Sequence, residues 1–167
     1  MTKAKGPLYA VHFRRRREGK TDYGKRLALL KSEKTRLVVR KTNKRIIVQF
    51  VNFNEKGDHT ITSATSTHLS EYGFPGKCNT PSAYLTGMLA ARKAQKKGVK
   101  EFILDIGLHS PTKGSVVFAA LKGAVDAGLT APYDESILPP QDRIEGKHLK
   151  GGEQNAFAEA KTKIMSL

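Results

Sequence analysis

The chain has no tryptophan, a single cysteine (Cys78) and only 7% aromatic residues. A lone cysteine excludes an internal disulfide framework and fits a reducing compartment. Few large aromatics predict a modest core. No apolar run approaches the ~20 residues needed to span a bilayer. The basic residues near Met1 are not followed by an apolar stretch, so no signal peptide is read there and a cytoplasmic location is expected. His68 and Cys78 are the only conceivable metal ligands on their loop, and two are too few for a structural metal site. No metal, cofactor or catalytic residue is expected. Acidic residues are the remaining scarcity: 15 against 30 Lys and Arg, a net charge of +15.

That excess is concentrated. Residues 1–45 hold 16 Lys/Arg against Glu18, Asp22 and Glu33, whereas residues 46–167 hold 14 against 12 acids. Such asymmetry marks a nucleic-acid-binding arm. Its centre is Arg14-Arg15-Arg16-Arg17, four cations that would lie along ~13 Å of extended backbone and cannot shed their protons. The planar guanidinium fork suits phosphate oxygens. Tyr9, Phe13 and Tyr23 interleave the cations and can stack on unpaired bases. A simply solvated basic tail is the plain alternative for any one short run.

Residues 1–21 show no apolar period and contain Gly6-Pro7 and Gly19, which predicts an extended basic arm. Residues 22–130 read as a mixed α/β domain. Thr21 or Asp22 caps a helix over roughly 22–34, with Tyr23, Leu27 and Leu30 on its docking face and Lys25 and Arg26 on its flank. Three strands follow, 35–41, 45–54 and 59–67, joined by turns at Thr42-Asn43 and at 55–58. The middle strand is apolar on both faces over 46–51, which predicts cover on both sides. The third strand alternates as an outer strand does. The loop 68–79 carries Tyr72, Phe74 and Lys77, either an aromatic-plus-cation contact surface or two aromatics packing the loop down.

Thr80-Pro81 then starts a helix that runs to about Lys97 and stops at Gly98. A strand over 99–106, a loop over 107–114 and a helix over 115–127 come next. Lys113-Gly114-Ser115 lacks the spacing of a nucleotide-gripping loop, although Lys113 can hold one phosphate. Residues 131–167 form a C-terminal extension, irregular until a short amphipathic helix over 153–165. A strand reached through a helix after a meander usually joins the sheet parallel by a right-handed crossover. The expected architecture is a three-strand antiparallel meander plus a parallel strand, with helices packed on the sheet.

Several blocks together resemble one family: Arg14–Asp22 (RRRREGKTD), Arg36–Phe50 (RLVVRKTNKRIIVQF), Asn79–Gly87 (NTPSAYLTG), Asp105–Ala120 (DIGLHSPTKGSVVFAA) and Pro140–Leu149 (PQDRIEGKHL). They are similar to the archaeal-type 5S-rRNA-binding ribosomal proteins of the large subunit, the universal large-subunit protein eighteen family, across residues 5–150. The longer C-terminal extension of the eukaryotic relatives is missing. The resemblance implies a ribonuclease-H-like topology without an active site. It also implies a single copy in the central protuberance of the cytoplasmic ribosome, bound to 5S rRNA, touching 23S rRNA and neighbouring the 5S-binding large-subunit protein numbered five. Carried onto this chain, it implies RNA contacts by Arg14, Arg15, Arg16, Arg17, Lys20, Tyr23, Lys25 and Arg26. It extends them to Arg40, Lys41, Asn43, Lys44 and Arg45 at the first hairpin, and to Lys77 and Lys113.

Two other classes compete. A ribonuclease-H-like enzyme needs carboxylates clustered around metal ions at strand ends. Asp105 sits in a strand, but the strand over 35–41 contains no acid. A peripheral membrane protein needs an amphipathic helix beside the polybasic run, and no convincing apolar face adjoins it.

Overall fold

Alternating apolar side chains in three consecutive segments build the sheet. In the computed structural model, which describes residues 6–149 and 153–167, these are β1 (Arg36–Lys41), β2 (Ile46–Asn52) and β3 (His59–Thr65). They pair antiparallel in chain order, and β4 (Ile103–Asp105) adds parallel to β1, giving the order β3-β2-β1-β4. The mixed α/β sheet is therefore as expected, with β3 an outer strand. The parts of the arm at 1–5 and of the C-terminal extension at 150–152 lie outside the described residues.

Pleating divides the sheet into two faces of different chemistry. Leu37 and Val39 of β1, Ile46, Val48 and Phe50 of β2 and Ala64 of β3 are fully buried on one face. Helices α3 (Thr80–Gln95) and α4 (Val116–Asp126) cover that face. Arg36, Val38 and Arg40 point the other way. There β2 presents Ile47 and Gln49, which are only half-buried. The expected double-sided cover of β2 is thus incomplete. Among the described residues, its second face receives no helix of comparable size.

α3 is buried nearly all round, because α4, the C-terminal helix α6 (Glu153–Met165) and a 3-10 helix over Ser66–Tyr72 all pack on it besides the sheet. Its cap is Asn79, whose side-chain oxygen accepts from the Ser82 N–H at 3.0 Å. The helix thus begins at Thr80-Pro81, with its cap one residue earlier than that pair. Glycine sets the α3–α4 distance. A Cβ on Gly87 would stand 2.1 Å from the Ala120 carbonyl oxygen, and one on Gly123 would stand 2.0 Å from that of Tyr84. Only hydrogen allows the two backbones to touch.

The C-terminal extension is tied to the same core. α6 buries Phe157, Ala160 and Ile164, and α5 (Gln141–Ile144) buries Ile144. Phe74 is buried with its ring 6.3 Å from that of Phe157. Packing, rather than RNA contact, accounts for that aromatic. His68 caps the 3-10 helix by accepting the Thr65 N–H at 3.3 Å. Among the described residues no group of three His, Cys, Asp or Glu side chains converges as a metal site. No described helix is long and apolar enough to cross a membrane.

Ahead of the sheet the backbone departs from the extended expectation. Arg14–Arg17 make one helical turn, α1, closed by the Glu18 N–H on the Arg14 carbonyl and the Lys20 N–H on that of Arg15. A single turn spreads the four guanidinium groups around an axis instead of along a line. The next helix, α2 (Tyr23–Leu30), is shorter than 22–34. Asp22 caps it by accepting the Lys25 N–H at 3.1 Å. Leu27, expected on the docking face, is 56% exposed. Tyr23 and Leu30 face inward as expected, joined by Leu29 and by Arg26, which Asp58 holds on that side; all four are half-buried.

Candidate nucleic-acid interface

Two arginines four residues apart on a strand fall on one face of the sheet. Arg36 and Arg40 do so on β1, and their partners come from distant segments. Arg36 is 2% exposed; its Nη1 donates to Asp105 Oδ2 at 3.0 Å and its Nη2 to Asp58 Oδ2 at 2.6 Å. Arg40 donates through Nη2 to Asp105 Oδ1 at 2.9 Å and through Nη1 to the Asp105 carbonyl at 2.8 Å. From α2, Arg26 donates to both Asp58 oxygens at 2.8 and 2.9 Å. The result is an alternating chain Arg26–Asp58–Arg36–Asp105–Arg40, with three cations and two anions. It fastens α2 and the turn after β2 to the centre of the sheet.

The charge state of this chain follows from its geometry. Burial works to raise the Asp58 carboxyl, but hydrogen bonds and charge from Arg26 and Arg36 outweigh it and hold the group below its ordinary value. Asp105 also accepts the Gly107 N–H at 2.9 Å. Gly107 has φ +62°, and a Cβ there would stand 2.8 Å from the Arg40 guanidinium carbon. A left-handed glycine thus lets the Arg40 side chain lie flat on the loop after β4.

Above this network lies a cleft of about 890 Å³ between the arm and α2 on one side and the loop after β4 on the other. Of the sequence-proposed residues, Arg15, Lys20, Tyr23, Lys25, Arg26 and Arg40 line it together. Arg15 is held by a bond from its Nε to Thr21 Oγ1 at 2.8 Å, and Lys20 by Glu18 at 2.8 Å. Lys25 lies 3.8 Å from Asp22, its side chain 66% exposed. Arg14 faces Glu18 at 3.7 Å outside the cleft, and exposed Arg16 and Arg17 have no ion-pair partner among the described residues.

A second group gathers at the hairpin tip, where Lys41, Asn43, Lys44 and Arg45 are all exposed. Thr42 closes the turn by accepting the Arg45 N–H at 3.0 Å. Cys78 Sγ donates to the Thr42 carbonyl at 3.0 Å, which brings exposed Lys77 beside the hairpin. Burial pushes the Cys78 thiol up, against the opposing charge of Lys41. The Lys41 N–H donates to His109 Nε2 at 3.4 Å, so the hairpin and the cleft share one rim. Lys113 is exposed farther along the same loop.

The residues missed from sequence are Arg36, Asp58, His109 and Leu108. A signal for Arg36 was present, since Arg36 and Arg40 alternate with buried Leu37 and Val39 and a half-buried strand face cannot hold two unpaired cations. Nothing local marks Asp58 as the answering acid.

A family model described as "Ribosomal large subunit proteins 60S L5, and 50S L18" matches residues 8–101 and 95–134. The protein from Korarchaeum cryptofilum (strain OPF8) named "Large ribosomal subunit protein uL18" is 58% identical over 147 residues, 87% of this chain and 75% of its own length. A protein of the same name from Methanoregula boonei (strain DSM 21154 / JCM 14090 / 6A8) is 54% identical over 154 residues, 92% of this chain and 88% of its own length. Another, from Methanoculleus marisnigri (strain ATCC 35101 / DSM 1498 / JR1), is 58% identical over 147 residues, covering 87% and 84% respectively.

Proposed function

The chain belongs to the uL18 family of large ribosomal subunit proteins, and from that premise we propose that it binds 5S rRNA and anchors it to 23S rRNA in the central protuberance. The observation that carries this reading is the convergence of Arg15, Lys20, Lys25 and Arg40 on one cleft. Arg16, Arg17, Lys44 and Arg45 are exposed and remain for further phosphates. Cations on a rigid frame displace condensed counterions and set register, while loops and 2′-hydroxyls supply recognition.

The role is structural, in keeping with a family of ribosomal constituents rather than enzymes. Asp105 would be needed as an anionic ligand in a hydrolytic centre, yet it is committed to Arg36 and Arg40. In this reading one copy enters each cytoplasmic large subunit, beside the 5S-binding protein numbered five. Lys77 and Lys113 contact RNA at the periphery of the same face.

Binding to 5S rRNA and to an unrelated structured RNA, measured across a salt series with and without residues 1–20, tests it. The full chain prefers 5S rRNA and the truncated chain loses most of that affinity. Equal affinity for the two RNAs at moderate salt would overturn the reading.

A further inference from the structure

The cleft beneath the arm is larger and more apolar than phosphate contacts require. Its volume of about 890 Å³ lies within the roughly 300–1,000 Å³ typical of small-ligand sites. Tyr23 lines the cleft on the α2 side, and Ile106 and Leu108 line it on the side of the loop after β4. Leu108 is 54% exposed at the lip, an apolar side chain with its face to the opening. The other components are charged. Five cations line the cleft against three acids, Asp22, Asp58 and Asp105, and the latter two are already saturated by arginine. Arg15, which has no ion-pair partner among the described residues, stands on the arm side beside Lys20, which reaches Glu18 at 2.8 Å. Arg40 lies across the floor, held flat on Gly107.

We propose that this cleft receives one unpaired nucleotide extruded from the RNA, its base against Tyr23 and Leu108 and its phosphate on Arg15 and Lys20. The inference deepens the rRNA-binding reading above and rests on it for the identity of the polymer. Unstacked bases are recognised by stacking on aromatic side chains and on guanidinium planes, and Tyr23 and Arg40 supply one of each. A bare phosphate leaves the apolar lining wet. An apolar peptide leaves the cations unanswered. A nucleotide satisfies both halves at once. Because the Arg26–Asp58–Arg36 chain fixes α2 to the sheet, the two walls are set before the ligand arrives. Binding then costs little ordering of the protein.

The test titrates isotope-labelled full-length chain with adenosine and uridine 5′-monophosphates and, separately, with inorganic phosphate, following backbone amide resonances. The nucleotides shift Ile106, Gly107 and Leu108 saturably, and phosphate at equal concentration does not. Leu108 is exposed, so Leu108→Ser does not threaten the fold; it weakens nucleotide binding by about tenfold, through loss of the apolar area that Leu108 buries against the base. Lys100→Gln, exposed and outside the cleft, leaves nucleotide binding unchanged. The proposal is overturned when phosphate alone reproduces the shifts, or when Leu108→Ser binds nucleotide as the wild type does. Affinity for 5S rRNA against a control RNA reads the other question. Nucleotide in the cleft without 5S preference supports the cleft and removes the ribosomal-RNA assignment; the reverse pattern removes the cleft alone.

Discussion

Arg36 and Asp105 meet inside the molecule from strands 69 residues apart in sequence, Nη1 to Oδ2 at 3.0 Å, with side chains only 2% and 7% exposed. Parallel pairing of β1 with β4 sets Val38 against Asp105, which puts the carboxylate between Arg36 and Arg40 on the same face. A pair so enclosed is expensive to break from one side, because the survivor keeps its charge without a partner. Arg36→Met should therefore destabilise the fold by about 3–5 kcal/mol. Urea unfolding followed by far-UV circular dichroism measures it. Adding Asp105→Leu should recover a substantial part of the loss, and a double variant as unstable as the sum of its singles would refute the pairing.

Asp58 makes the stability of the arm side depend on pH. Its folded-state pKa lies below the ordinary carboxylate value, so the carboxylate contributes stability that is fully present above the unfolded pKa. As pH falls through the depressed folded value, that contribution disappears. The wild type should accordingly exceed Asp58→Asn in Tm at pH 5–7, and the gap should narrow from about pH 4 downward. Thermal unfolding across pH 3–7 checks the crossover. A gap that is constant with pH would show that Asp58 acts only through packing.

The α3–α4 crossing offers a sharper steric test. Alanine at Gly87 or Gly123 would put a Cβ within 2.1 or 2.0 Å of a carbonyl oxygen on the opposite helix, and neither backbone can yield without moving the other. Each substitution should cost about 3 kcal/mol, at the upper end of ordinary overpacking. Gly24 on α2 is the contrast, since its nearest neighbour to a new Cβ is Asp22 Oδ1 at 3.4 Å. Gly24→Ala should raise stability by about 0.5–1 kcal/mol through helix propensity. Denaturant midpoints for the three variants decide the matter.

Replacement of Arg14, Arg15, Arg16 and Arg17 by glutamine should flatten the salt dependence of RNA binding. At about 0.7 per phosphate contact on non-duplex RNA, loss of four contacts lessens the log–log slope by ~3. Filter binding or fluorescence anisotropy across a salt series measures it. An unchanged slope with reduced affinity would mean that the arginines act by shaping the arm and not by meeting phosphates.

Much of the architecture was legible in the residues because the signals are local. Thr80-Pro81 announces the start of α3, and Gly98 and Gly128, both in left-handed conformations, mark where α3 and α4 give way to the following segments. The alternation in 36–41 and 59–65 and the apolar run of 46–51 produce the meander. Two features resisted that reading. Leu27 satisfies a helical period but faces solvent, since an ion pair from Arg26 to Asp58 outweighs a leucine in orienting so short a helix. Arg40 looked like one more surface cation, yet it is bent back onto Asp105 and Gly107.

The order of elements, the caps that begin them, the glycines that end them and the pooling of positive charge before Ile46 are properties of neighbouring residues, and the amino-acid string determines them unaided. Which arginines are spent inside and which remain for a polyanion was decided only when β4 came to lie beside β1 and the turn bearing Asp58 beside α2. Burial leaves a guanidinium no water, so it must take whatever carboxylate the topology brings within 3 Å, and no stretch of sequence records that distance.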